Sequence, residues 1–540
     1  MVYSKVSKNQ KAGLKINEIL DQLLGHRSIE QFFQWPPDAF ALTSILLSDS
    51  GAYRNVVDPP ERHRWPPNGR LLKKSQKWSE TIDAGGERWR LWAEGGLKRA
   101  PVRILELINI VDSHRKVCVR DISKKEYWRL CKTILALHAL ADAACEGIGV
   151  PGFFTGANLV FYGVSAAMLK VSGSLSRIDV SRIKVLPKLR TPQVGISLRS
   201  LSHHLAVDRS EVKVKWIWPP FKPVSESDKK LNLMVIPWPE VIEPRSFRIP
   251  NHRLDNMNPD EFAFFRFSPR KRFNVERAIE LIRRARTQVD EIHGVILPEC
   301  ALSEKEADIF QRCLAKEKVA FFIAGVRGDQ TNFARFGLFS SARHTYETFD
   351  QTKHHRWVLD GTQIRNYHLG SSLHPGRRYW EDIKVPDRSL NFVSVSEWLT
   401  MCHLICEDLA RHDPVTQLVR SVGPNLVVAL LLDGPQLASR WPARYASVLA
   451  DDPGSSVLTV TSLGMALRSL PSKQARSRVV ALWKDSSGGP REIVLDQGAD
   501  ALILTLSAHS RNEWTADGRE DGYAAYELQL SGIEHIRADS

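Results

Sequence analysis

From Leu231 onward the chain is a succession of short, almost purely apolar runs: LNLMVIPWP, GVILPECAL, VAFFIAGV, NLVVALLLD and SVLTVTSL. A strand with one wet face alternates apolar and polar residues, so runs without alternation must be covered on both faces. Between them lie segments of helical period, such as NVERAIELIRRARTQV and ADIFQRCLAKEK. FVSVSEWLTMCHLIC reads as a strand pair and DPVTQLVRSV as a helix. Strands alternating with helices in this way specify an α/β domain with covered sheets. After SVLTVTSL the pattern loosens, and 465–540 shows only the shorter runs VVALWKD, EIVLD and ALILTL.

The first 217 residues have another rhythm. Apolar residues at helical spacing run through 11–50, and WPPDAFALTSILLSDSGAY sets prolines at a helix start. Three-and-four spacing continues from Ile122 to Gly147 and from Asn158 to Val171. His138 sits among leucines and alanines, the setting of a satisfied core histidine. EVKVKWIW alternates as a strand. WPPFKPVSESDKK, residues 218–230, has the composition of a linker. These patterns predict a mostly helical basic domain over 1–217, a linker over 218–230 and an α/β domain over 231–540.

Charge follows the same division. Residues 1–230 hold 37 Lys and Arg against 22 Asp and Glu, and the remainder holds 38 against 39. A basic excess of this kind suits a nucleic-acid or protein partner, and it equally suits a solvated surface. Residues 54–100 interleave basic side chains with tryptophan, a mixture that stacks on single-stranded nucleic acid or packs as a helical face with basic stems. No run of 18 apolar residues exists, so no membrane span is expected. The start, MVYSKVSKNQKAGLK, lacks the apolar core of a signal peptide. Seven cysteines (118, 131, 145, 300, 313, 402 and 406) show no paired spacing, which points to a reducing cytoplasm. There is no internal repeat and no glycine-rich phosphate loop, and no cofactor is expected.

Three residue types then fall at equivalent places. Glu299 closes the strand in VILPE, Lys353 lies in QTKHHRWVLD, and Cys406 ends the strand in LICED. A thiol at a strand end is held rigidly while the loop beyond leaves it reachable. Glu299 can accept the thiol proton, Lys353 can hold negative charge on sulfur and on a tetrahedral oxygen, and the backbone N–H of Glu407 can donate to that oxygen. Each residue also has a plainer reading. Glu299 fits a solvated strand end, Lys353 a basic loop beside His354, His355 and Arg356, and Cys406 a small apolar filler. Cys300 and Cys313 read as ordinary helix or core positions. A metal site from His354, His355, Cys402, His403 and Cys406 fits no zinc spacing, and none is expected.

VILPE and LICEDLAR, in that order on an α/β pattern, resemble motifs of the carbon–nitrogen hydrolase (nitrilase) superfamily over residues 231–530. The resemblance implies a four-layer α-β-β-α sandwich, a Glu299–Lys353–Cys406 triad and attack on a non-peptide C–N bond through a covalent thioester. It also implies a homo-oligomer. The family carries its lysine in an aromatic-basic motif, here QTKHHRW, and Lys384 in EDIKVP matches less well. A second family glutamate, between lysine and cysteine, corresponds to Glu381 in RRYWEDI. The expected activity is hydrolysis of a small amide, nitrile, carbamoyl compound or glutamine-like donor, with the N-terminal domain giving partner binding. Acyl transfer through the same thioester is equally consistent. The competing expectation is a regulatory or sensor protein that uses the nitrilase-like part as a scaffold and binds nucleic acid or protein through 1–217.

Overall fold

The structure, a computed structural model, describes residues 13–66, 72–148, 159–189, 195–219, 223–225, 227–251, 258–385, 388–469 and 477–538. The basic start and residues 220–222 and 226 of the expected linker lie outside them. The chain forms two compact units. One joins Met1–Glu211 to Arg511–Ala525, and the other joins Val212–Ser510 to Tyr526–Ser540.

In the first unit the helices are α1 (Ile16–Leu24), α2 (Ile29–Gln34), α3 (Pro36–Ser50), α4 (Leu72–Ala93), α5 (Val102–Ser113), α6 (Trp128–Ala144) and α7 (Leu159–Ser172). A small antiparallel pair, β1 (Lys184–Pro187) and β2 (Leu205–Asp208), follows them. Pro36 and Pro37 open α3, where a missing N–H costs nothing because the first helical N–H groups have no partner within the helix. α6 is the hub, packed by α3, α4 and α5. It starts at Trp128, later than its apolar spacing suggests, because two short 3₁₀ turns, Val119–Asp121 and Lys125–Tyr127, occupy the approach. His138 is buried on α6, stacked on Phe40 and 3.1 Å from the Thr43 hydroxyl. Burial lowers its pKa to about 4, so it is neutral in the core.

Much of the basic-tryptophan stretch is exposed, with Trp78 half-buried, but three of its indoles are interior. Trp65, Trp89 and Trp92 are buried, and the Trp89 indole donates to Phe33 O at 2.9 Å. Arg90 is buried too, donating to Ala144 O and the Tyr162 hydroxyl. These indoles fill the helical core and are not free to stack on bases.

Residues 511–525 are held in this unit by buried charge. Asp142, on α6, accepts backbone N–H groups of His203, His204 and Leu205 at 2.7–2.9 Å. Arg519 lies 3.6 Å from Asp142 and 3.1 Å from Asp517, and donates to Leu201 O at 2.6 Å. Burial alone would raise Asp142, but His204, Arg519 and His203 outweigh it and hold the carboxyl at about 2. Removing one partner of a buried pair leaves the other charge uncompensated, at about 3–5 kcal/mol. Arg519→Ala should therefore lower unfolding free energy by about that amount in urea titration; a change under ~1 kcal/mol would show that the backbone donors to Asp142 suffice alone.

In the second unit two seven-stranded sheets share one plan. The first holds, in spatial order, β10 (Thr345–Thr352), β9 (Thr331–Ser340), β8 (Phe321–Gly328), β7 (Gly294–Ser303), β4 (Lys230–Val235), β19 (Ala501–Trp514) and β20 (Glu520–Ile536). The second holds β18 (Arg491–Val494), β17 (Val479–Lys484), β16 (Ser456–Thr461), β15 (Leu426–Leu431), β14 (Thr400–Ile405), β13 (Ser389–Ser394) and β3 (Lys213–Ile217). Each has a parallel centre, β4–β7–β8 or β14–β15–β16. Antiparallel strands adjoin each centre. β3 belongs to this sheet, pairing with β13, although it precedes residues 218–230. A four-stranded sheet of β5 (Phe247–Arg248), β6 (Phe262–Phe267), β11 (Val358–Leu359) and β12 (Arg378–Glu381) adjoins them in sequence.

The helices here are α8 (Val275–Ala285), α9 (Glu304–Lys316), α10 (Gly361–Asn366), α11 (Gln417–Val422), α12 (Trp441–Asp451) and α13 (Leu463–Arg468). Ile282, Phe310 and Leu314 on α8 and α9 pack with Val295, Leu297, Phe322 and Ala324. The alternate residues of β7 and β8 point the other way. On that side Phe321 stacks on Phe336, whose ring lies 5.7 Å from His403 on β14. Strands β7 and β9 thus meet β15 and β14 of the second sheet, while α12 packs on β16 and β17. Both faces of the central strands are dry, which explains the unbroken apolar runs. Residues 477–538 of the region expected to be loose hold two long strands: β19 and β20 span 14 and 17 residues. Beyond ALILTL, β19 carries partly exposed polar residues, so no apolar run marks its length.

Candidate active site

Glu299 does not close its strand as the sequence suggests: β7 runs on to Ser303, and the residue is placed by a break within it. Pro298 has no N–H to give the ladder, and pairing with β8 shifts between Leu297 and Leu302. Cys300 takes a left-handed conformation, φ +54°. The opposite strand must come close at this break, and Gly325 permits it. A Cβ on Gly325 would sit 2.3 Å from Pro298 O and 2.4 Å from Glu299 Cα. Gly325→Ala should push Glu299 out of position and destabilise the fold by about 1–3 kcal/mol, read as a lowered urea midpoint; an unshifted midpoint would mean the break absorbs a methyl group freely.

Glu299 is 1% exposed, and both of its carboxylate oxygens accept hydrogen bonds. Its Oε1 accepts from Lys353 Nζ at 2.8 Å and Asn332 Nδ2 at 2.7 Å, and its Oε2 accepts from Leu432 N at 2.6 Å. Lys353 is the first residue beyond β10, and its N–H extends the β9–β10 ladder to Asn332 O at 2.8 Å. Its ammonium also donates to Glu381 Oε2 at 2.6 Å. Glu381 closes β12 and accepts from Asn332 Nδ2 at 2.7 Å and Trp357 N at 3.1 Å. One ammonium and one amide therefore bridge two buried carboxylates.

The electrostatics are those of a surplus anion in a dry site. Burial raises Glu299, Lys353 opposes the rise, and the Glu381 charge adds to it. Burial works against the Lys353 charge, yet Glu299 and Glu381 overcome it and hold the ammonium well above its ordinary value. Perturbed groups of this kind, gathered in one buried cluster, are what proton-transfer chemistry uses.

Cys406 follows β14 directly and opens a 3₁₀ turn, Cys406–Ala410, with φ +44°. A cysteine in this region is strained, and the strain turns the chain sharply out of the strand. Cys406 is 3% exposed. Burial pushes the thiol well above its ordinary value, the Glu299 charge pushes the same way, and Lys353 opposes. The turn is tied to the lysine segment by Asp408, which accepts from His354 N at 3.0 Å and faces His355 Nδ1 at 2.9 Å. His354 Nε2 lies 2.9 Å from Ser389 O. Both imidazoles are thus committed to holding the loop. The Glu407 side chain turns to Arg411 at 2.6 Å.

Beyond the strand β15, Asp433 accepts from the Tyr367 hydroxyl and from Arg440 at 2.7 Å. A cavity of about 720 Å³ reaches the cluster, with Cys300, Asn332 and Glu381 among its walls and Phe265, Phe267 and Arg327 beside them. The histidines and cysteines weighed from the sequence as metal ligands do not gather. Among the described residues Glu299, Cys300 and Glu381 do, with one donor atom of each within 4.8 Å of the others. Asn332 and Asp408 escaped notice in the sequence. Asp408 had a signal in its place two residues after Cys406, whereas Asn332, in TNFARF, had none.

No protein-family model matches the chain, and no curated protein does either. Solved structures similar to it include Saccharomyces cerevisiae Nit3, a member of branch 10 of the nitrilase superfamily, 16% identical over 53% of this chain and 92% of that one, TM-score 0.30. The Caenorhabditis elegans NitFhit protein is 13% identical over 52% of this chain and 61% of that one, TM-score 0.30. A carbon–nitrogen hydrolase from Helicobacter pylori G27 is 10% identical over 57% of this chain and 88% of that one, TM-score 0.28.

Proposed function

We propose that the second unit is a carbon–nitrogen hydrolase acting on a small amide, nitrile or carbamoyl substrate through a thioester on Cys406. In this reading its sheets and covering helices are a four-layer α-β-β-α sandwich, and the first unit gives partner binding. The observation that carries the reading is the buried cluster of Glu299, Lys353 and Glu381, whose charges act on a thiol held in a strained strand-end turn.

For an amide the chemistry runs as follows. Glu299 takes the thiol proton as Cys406 Sγ attacks the carbonyl carbon. The oxygen gathers negative charge, which the Lys353 ammonium and the Glu407 N–H stabilise in a site without bulk water. Glu299 returns the proton to the departing nitrogen, and the C–N bond breaks to leave a thioester. Water, deprotonated by Glu299, then attacks the thioester and releases the acid and the thiol. Glu381 holds Lys353 in line through the 2.6 Å contact, and Asn332 donates to both carboxylates and holds them together.

Intact mass after incubation with a panel of amides, nitriles and glutamine tests this directly. The wild-type chain should gain an acyl mass that maps to Cys406, and Cys406→Ala should lose both the adduct and turnover, by on the order of 10⁴-fold or more. Turnover unchanged in Cys406→Ala would remove the thioester from the mechanism.

A further inference from the structure

Cys300 has no part in that chemistry, yet it stands beside it. Its sulfur, an oxygen of Glu299 and an oxygen of Glu381 lie within 4.8 Å of one another, and all three residues are buried. Asn332 adds a separate sign that a ligand is wanted. Its Nδ2 serves both carboxylates, while its Oδ1, 97% buried by residue, has no hydrogen-bond partner among the described residues. A buried amide oxygen without a donor costs about 1–3 kcal/mol, so a site that leaves one open is poised for a cation or a donor. Cys300, Asn332 and Glu381 all line the 720 Å³ cavity, which supplies an entry path.

The carboxylates keep capacity for a further partner. Each oxygen offers two lone pairs. Glu299 Oε2 takes one donor, Leu432 N, and Glu381 Oε1 takes one donor, Asn332 Nδ2. Zinc bonds of about 2.3 Å to sulfur and about 2.0–2.2 Å to oxygen separate tetrahedral donors by roughly 3.3–3.7 Å, within the spread found here after small side-chain adjustment. Charge fits as well. Two carboxylates and one ammonium leave the site with one surplus negative charge; adding a thiolate and a divalent cation brings the sum to zero. A thiolate in the set selects Zn²⁺ or Cd²⁺ over Mg²⁺ and Ca²⁺.

We propose that Cys300 Sγ, one oxygen each of Glu299 and Glu381, and Asn332 Oδ1 bind a soft divalent cation, Zn²⁺ first among them, entering through this cavity. Binding itself stands on the geometry alone. Its consequence, arrest of turnover because Glu299 is no longer free to accept a proton, rests on the hydrolase reading above.

The test uses the full chain and Zn²⁺ alone, in competition with a chromogenic chelator and without substrate, so that it reads independently of whether the hydrolase reading holds. The wild-type chain should retain one ion, Cys300→Ser should bind at least tenfold more weakly, and Cys406→Ser should bind within twofold of wild type. Zn²⁺ should also protect Cys300 of the wild-type chain from alkylation, a readout that decides the matter if Cys300→Ser does not fold. The proposal is overturned if no ion is retained at tenfold excess of Zn²⁺, if Cys300→Ser binds as tightly as wild type, or if Cys300 alkylates equally with and without the metal.

Discussion

The Lys353 ammonium, buried between the carboxylates of Glu299 and Glu381, is the interaction on which the rest of the second unit depends. A lone charge at this depth would neutralise itself or unfold its surroundings. Here each charge is needed to keep the others ionised, and Asn332 and two backbone N–H groups complete the set. Breaking such a set by removing one member costs about 3–5 kcal/mol, so the three segments that supply it are locked to one geometry. Burial raises both Glu299 and Cys406, and within this arrangement the Glu381 charge adds to the first and the Glu299 charge to the second while Lys353 opposes both.

The sheets exist in a form that can deliver those residues. Each has a parallel core whose strand ends open at one edge, and ligand sites in such sheets gather beyond the carboxyl ends of the strands. Glu299 comes from the parallel centre of one sheet and Cys406 from the parallel centre of the other. Lys353 comes from the outer strand β10, and Asp408 ties its neighbours to the turn after Cys406. The dry interface marked by Phe336 and His403 keeps the two sheets at a fixed spacing, so the residues at their ends meet without a flexible connection.

Much of this was legible before the structure, for a physical reason. Strands covered on both faces betray themselves as unbroken apolar runs, and a charged or thiol residue that ends such a run stands out, as Glu299 and Cys406 do. Lys353 was visible only through its order between them and the basic motif around it. Asn332 was invisible, because its role comes from register between β9 and β10 and not from any local pattern. Cys300 passed for a core filler, and only the left-handed backbone beside Pro298 turns it toward the cluster's cavity. The tryptophans of 65–92 leave two readings open in the sequence, because a basic helix that buries its indoles has the same composition as one that displays them; Trp65, Trp89 and Trp92 are buried. The long hairpin of β19 and β20 was missed because a strand with a wet, polar stretch has no apolar run to show.

The central claim is that the charges of Glu299 and Lys353 act on the thiol of Cys406. Alkylation of Cys406 as a function of pH measures this without any substrate. Glu299→Gln removes a charge that raises the thiol, so the midpoint of alkylation should move to lower pH; Lys353→Gln removes a charge that lowers it, so the midpoint should move to higher pH. Opposite shifts from the two variants, each retaining its helical and sheet content, are the predicted result. Midpoints that stay where the wild-type chain has them would contradict the account.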